Sequence, residues 1–227
     1  MVDMAAIHAL TAELHTGFLT LAFLTIAGVF LCQLLFRYAP KRFSGPRLLR
    51  LREYLEPTGY VATFAGVLAV IASAITGSAS WSVDNLLASA LTRNKIIFTI
   101  FALVLWSTVL FMRWRFKRNL WTYPATALLY SGMAAVAFAI TAATGSLGAH
   151  LVKGGSIIDP YLAALGIDLT KAITLTSTAA LLITAASIAV IIVVLLVARG
   201  TGIAKRQFHD EGSGPWPGWD MEPAQKK

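Results

Sequence analysis

An all-α, polytopic membrane helix bundle with five transmembrane helices, N-terminus outside and C-terminus inside, is the fold this sequence predicts. Three observations predict it. Five long apolar stretches contain no Asp, Glu, Lys or Arg. The composition is 57% apolar and only 13% charged, with a mean hydropathy of +0.69, too little polar surface to keep such helices in water. Basic residues also alternate between the loops, as the retention of Lys and Arg on the cytoplasmic side requires.

The first span is Gly17 to Phe36, near the ~20 residues that cross a ~30 Å hydrocarbon core. The segment before it has no Lys or Arg and no small-residue cleavage site, so it is expected to stay on the chain. Cys32, alone of its kind, is expected as a small buried apolar side chain, and Gln33 as an interhelical hydrogen-bonder. The loop that follows holds Arg37, Lys41, Arg42, Arg47, Arg50 and Arg52. Tyr60 to Ser78 forms the second span, and a poorer loop with Arg93 and Lys95 leads to the third, Ile96 to Met112. Arg113, Arg115, Lys117 and Arg118 follow; then come the fourth span, Tyr123 to Thr144, a loop with Lys153 and Lys171, and the fifth span, Ala172 to Ala198. Arg199, Lys205 and Arg206 open the tail. The rich loops belong inside and the poor ones outside, which explains the net charge of +8 by topology and lipid headgroups, with no nucleic acid as partner. Trp81, Trp114, Trp121 and Tyr123, at span ends, are expected as interfacial anchors.

Domain organisation follows from these spans: a four-helix membrane domain over 1–160, an additional transmembrane helix over 161–200 and an irregular cytoplasmic tail over 201–227. Small residues recur four apart on span two (Ala65, Ala69, Ser73, Gly77) and on span four (Ala127, Ser131, Ala135, Ala139, Ala143). The expectation is one smooth stripe on each helix, for close packing or as a flat wall for a ring. Both stripes run into the same tripeptide, Thr76-Gly77-Ser78 and Thr144-Gly145-Ser146, a faint repeat of two hairpins.

Three of the four histidines, His8, His15 and His150, fall beside the outer ends of spans. Wet interfacial side chains account for such histidines as readily as ligands do. On a continuous helix His8 and His15 share a face but stand ~10 Å apart. Haem ligands must place their nitrogens ~4 Å apart, so these two cannot serve one iron. The expected pair for a b-type haem is therefore His15 with His150, provided span four stays helical past Gly145 and Gly148, whose missing side chains leave room for a porphyrin edge. His8 is left for a propionate, a second metal or a partner surface; Met4 is a remote substitute ligand. Gly77 belongs to the same wall, and Arg93, Lys95 and Lys153 are the cations available to propionates. A quinone is a further cofactor expectation, and His209 in the tail is expected to be solvated.

Spans without ionisable groups argue against a pump or a proton-coupled carrier, and phosphate-binding, paired-cysteine or nucleophile motifs do not occur. The order of a His near the start of helix one, Thr-Gly ending helix two, Asn94 opening helix three, Arg113 closing it and Ala-Thr-Gly-Ser-Leu-Gly-Ala-His-Leu-Val-Lys-Gly-Gly after helix four resembles an uncharacterised four-helix membrane domain family. That family is also found fused ahead of Rieske iron–sulfur domains. The resemblance covers roughly residues 5–160, leaves the fifth helix extra, and implicates His8 or His15, Asn94, Gly145, Gly148, Leu151, Val152 and Gly154. Two departures are plain: Leu91-Thr92-Arg93 stands where the family commonly has a His, and His150 precedes Leu151-Val152 instead of following it.

Together these readings make the chain a haem b electron-transfer subunit or anchor of a respiratory-type redox complex in the plasma (inner) membrane. Its partners would be membrane lipids and other membrane or redox protein subunits. The alternative is a non-catalytic structural subunit of a larger membrane assembly, docked through the fifth helix and the aromatic tail; a small-solute transporter is a distant third.

Overall fold

The computed structural model describes residues 3–39, 46–121 and 124–171, with isolated helical positions between 178 and 196. Most of the fifth span, Tyr123 and the whole 201–227 tail, including His209, lie outside the described residues. Among the described residues all regular structure is helical: α1 (Met4–Tyr38), α2 (Pro46–Ser80), α3 (Val83–Ala88), α4 (Ala90–Phe116), a 3-10 turn (Lys117–Trp121), α5 (Pro124–Lys153) and α6 (Asp159–Ala164). Helices α1, α2, α4 and α5 are each long and apolar enough to cross a bilayer, the pattern of a multi-pass integral membrane protein.

These helices outrun the apolar stretches that announce them. At 35 residues each, α1 and α2 are roughly 50 Å long, against ~30 Å of hydrocarbon. Helix α1 starts early because the Asp3 side chain caps it, accepting from the Ala5 N–H at 2.9 Å. His8 and His15 therefore lie on one unbroken helix. Helix α2 opens on Pro46, a residue preorganised for a first turn, and its first two turns take up Arg47, Arg50 and Arg52. Helix α5 runs through both Gly145 and Gly148, so His150 is helical.

Helices α1 with α2 and α4 with α5 form two antiparallel hairpins joined around a shared core. Leu19, Ala22, Ile26 and Val29 of α1 meet Ala62, Val67 and Val70 of α2, while Trp106, Val109, Ala134 and Ala137 close the other side. Phe23 stacks on Phe138 at 4.5 Å between centroids, tying α1 to α5. Trp106 donates its indole N–H to Thr141 Oγ1 at 2.9 Å between α4 and α5.

The four-residue stripes are corrected by burial. On α2 the covered line is Gly59, Thr63, Gly66, Val70 and Ser73; on α5 it is Ala127, Tyr130, Ala134, Ala137, Thr141 and Thr144. Both alternate steps of three and four. A strict step of four rotates about 40° away from a 3.6-residue helix each time, so Ala135 and Ala139 end on the exposed side. Ala65 and Ala69 are half-buried at the edge, and Ser73, buried, lies where the two lines on α2 cross.

At the basic end of the bundle, Arg113 of α4 pairs with Glu56 of α2 and lies 5.6 Å over the Tyr60 ring. Gln33 donates to the Trp121 carbonyl at 3.1 Å, a helix-to-turn bond in place of the helix-to-helix bond expected. Trp121 is a second correction: it is buried, edge-on to Tyr130 at 5.3 Å, and serves as core. Trp81 and Trp114 are exposed and Cys32 is buried, as their positions in the sequence imply.

Candidate functional site

The opposite end of the bundle gathers the histidines. Each is built into its surroundings differently.

His8 reaches across to α2. Its Nδ1 lies 2.9 Å from the Ser73 carbonyl oxygen and 3.4 Å from Ser73 Oγ. A carbonyl only accepts, so this bond puts the proton on Nδ1 and leaves the lone pair on Nε2. The ring rests against Gly77, where an added Cβ would stand 2.9 Å from Cε1 and 3.1 Å from Nδ1. Gly77 is thus the seat of an imidazole. One turn on, Thr11 Oγ1 meets Thr76 Oγ1 at 3.3 Å, pinning the register of α1 on α2.

His15 is half-buried, and its Nδ1 is a fully covered atom whose neighbour is the Thr11 backbone one turn back. Lys95 of α4 lies close enough for its charge to act on this ring, as does His8. The Lys95 amine also approaches α5: Nζ would be 3.4 Å from a Cβ built on Gly148. A Cβ at Gly148 would only touch the lysine head in ordinary contact, and Lys95 stands between the His15 neighbourhood and the last turns of α5.

His150 has both ring nitrogens engaged. Nδ1 lies 2.9 Å from the Ser146 carbonyl one turn back, and Nε2 lies 3.2 Å from Asp159 Oδ2. Asp159 also accepts from the Ser156 N–H at 2.7 Å and from Ser146 Oγ at 3.3 Å. The carboxylate gathers two donors, with the His150 ring against it, and fastens the α5–α6 loop to the end of α5. A second tie comes from Asn94, fully buried, whose Nδ2 donates to the Leu169 carbonyl at 3.3 Å; its Oδ1 is covered and unpaired. Beyond it, the Thr170 hydroxyl donates to Asp168 at 2.6 Å and the Thr170 N–H at 3.0 Å. The hydroxyl above all, with the N–H and Lys171, holds the exposed Asp168 carboxyl below its ordinary range.

The remaining expected site residues are placed elsewhere. Arg93 donates to the Leu87 and Ala88 carbonyls, closing the C-terminus of α3. Gly145 is exposed with nothing near a built Cβ; it faces away from the bundle interior. Gly77 and Gly145, equivalent in the repeated tripeptide, are thus different in space. Among the described residues no three His, Cys, Asp or Glu side chains converge as a metal site.

A b-type haem fits this end in one respect and is resisted in another. His15 offers a covered nitrogen that meets only the Thr11 backbone, within reach of the Lys95 charge, a cation that suits a propionate. His150 has the orientation common to ligating imidazoles, Nδ1 on a backbone carbonyl, yet must surrender Asp159 to free Nε2. Two cavities, of about 580 and 370 Å3, open elsewhere on apolar faces, one beside Leu105, Gly132 and Val136 and one beside Phe18, Tyr54 and Pro57.

Sequence reasoning missed Asp159 and Leu169, and had Ser73 only as a member of the small-residue stripe. Ser73 acts through its carbonyl, which no side-chain motif can announce; Asp159 could have been flagged as the acidic residue nearest His150 in the sequence. Compared with known protein families, curated proteins and solved structures, the chain matches none.

Proposed function

We propose that this chain is a membrane-embedded electron-transfer subunit or anchor of a respiratory-type redox assembly, with a b-type haem at the histidine end of the bundle. The observation that carries the reading is His15: a covered ring nitrogen that meets only the Thr11 backbone of its own helix, on a helix that reaches the bundle end and within reach of the Lys95 charge. When bound, haem supplies a one-electron carrier. His15 would hold it from α1, His150 from α5 on releasing Asp159, and Lys95 would pair with a propionate. The same reading puts the histidine end outside, the basic end and tail inside, and a fifth crossing at Ala172 to Ala198, in a plasma (inner) membrane; other redox subunits, and a quinone as acceptor or donor, would complete the path. Kinship with the four-helix domain fused to Rieske proteins belongs to the same proposal.

A second reading is a non-catalytic accessory subunit. It is favoured by the His150–Asp159–Ser146 network, in which His150 is fully occupied as a loop fastener, and by wide apolar faces such as Leu128, Leu129 and Val136 on α5. Haem content of the purified chain after His15→Ala separates the two. The redox reading expects loss of most bound haem with membrane insertion intact; haem content equal to wild type in both His15→Ala and His150→Ala would remove this site.

A further inference from the structure

The basic end of the bundle carries a feature that the haem reading leaves unused. A groove of about 370 Å3 opens between α1 and α2, lined by Phe18, Leu21, Tyr54, Pro57 and Val61, with the short, buried Ala62 among them. Phe18, Leu21, Tyr54 and Val61 are all exposed, so no other part of the described chain covers it. Two arginines share its helix face. From Arg47 through Arg50, Tyr54 and Pro57 to Val61 the steps on α2 are three, four, three and four, which keep to one side of a 3.6-residue helix. Arg50 therefore stands one turn before Tyr54, at the mouth, and the groove runs ~10 Å further along α2 to Val61. Helical side chains lean toward the N-terminus, which carries both guanidiniums away from the apolar core. Arg47 and Arg50 are exposed, and among the described residues neither is hydrogen-bonded, ion-paired or stacked. Arg113, by contrast, is taken by Glu56 and Tyr60. Glu53, the exposed acid beside them on α2, pairs with neither arginine.

We propose that this face binds one anionic phospholipid, with its phosphate on Arg47 and Arg50, its ester region beside the Tyr54 hydroxyl and one acyl chain in the groove. Guanidinium meets phosphate through paired N–H donors, and two guanidiniums without a carboxylate partner favour a headgroup of net negative charge over a zwitterionic one. A tyrosine suits the level between headgroup and chain. Lipid tails are as apolar as the helices, so the groove orders the chain by packing while charge supplies the selectivity. Charge is also what identifies the occupant, since a partner helix would fill the groove without need of the arginines. In the proposed orientation this end meets the cytoplasmic leaflet, whose surface is negatively charged. The site takes none of the histidines and stands or falls apart from the haem.

The test is native mass spectrometry of the full-length chain in mild detergent, titrated with dioleoyl phosphatidylglycerol and, separately, with dioleoyl phosphatidylcholine. One phosphatidylglycerol per chain is expected to bind, about tenfold more tightly than phosphatidylcholine. Arg47→Gln with Arg50→Gln should erase that preference, while Lys117→Gln with Lys153→Gln, an equal loss of charge off this face, should keep it. Val61→Trp, which fills the groove from an exposed position, should weaken phosphatidylglycerol binding several-fold with an unchanged melting temperature. Equal affinity of the wild-type chain for the two lipids overturns the proposal, and so does loss of the preference in the lysine pair as well, which would show general surface charge. Wild-type affinity in Val61→Trp overturns it too, because the arginines would then hold a phosphate with no chain in the groove.

Discussion

The two hairpins solve the same packing problem with opposite means. Helix α2 turns glycines toward α1: a Cβ on Gly59 would stand 2.8 Å from Thr25 Oγ1, one on Gly66 would collide with the Leu19 side chain, and one on Gly77 would meet His8. The α4–α5 hairpin turns Gly132 and Gly145 to open space, leaves Gly148 in ordinary contact with Lys95, and relies on Trp106, Tyr130 and the Trp106–Thr141 hydrogen bond. Close backbones in the first hairpin hold His8 from across the interface. In the second, His150 is held by its own helix and by the loop after it. A tripeptide repeated in sequence therefore marks two differently built ends, of which the first alone seats an imidazole.

Breaking the comparison should be easiest at Gly66. Gly66→Ala pushes a methyl into Leu19, which is fully buried and cannot yield, and should cost ~1–3 kcal/mol. Thermal melting in detergent reads it, and an unchanged midpoint would show that the first hairpin is not glycine-spaced. Thr141→Val, which strips the acceptor from Trp106, should cost ~1 kcal/mol; a neutral result would mean the indole finds another partner. Smallest of all should be the exposed side of α5. Ala139→Leu should be tolerated, and Gly145→Ala should be neutral or stabilising by up to ~1 kcal/mol through helix propensity. Marked loss from either would reveal a partner covering that face.

What was legible in the sequence was whatever depends on one helix at a time. Charge-free runs of span length announced four helices that the structure contains, and the heptad-like offset of His8 and His15 was correctly read as a separation along one helix. Hydropathy reports where lipid contact stops and leaves helix ends open; α1 and α5 continue as helices past it to Met4 and Lys153, the continuation that the pairing of His15 with His150 requires. The α5 stripe failed for a reason of period, since a run of four-residue steps looks regular in text but wanders around the helix, whereas the α2 stripe keeps Ser73 and Gly77 against α1. Least legible were contacts that need the register of two helices, such as His8 on Ser73, 65 residues apart, or Lys95 over Gly148.

The account rests most heavily on the histidine end holding a redox group, and the reduced-minus-oxidised absorbance spectrum of the wild-type chain tests that directly. Expressed with ample haem and purified in mild detergent, the chain should show a Soret shift on dithionite reduction and the sharp α-band of a low-spin b-type haem. A flat difference spectrum from folded, haem-supplied protein would contradict the account and leave a structural subunit whose histidines serve packing and the loop.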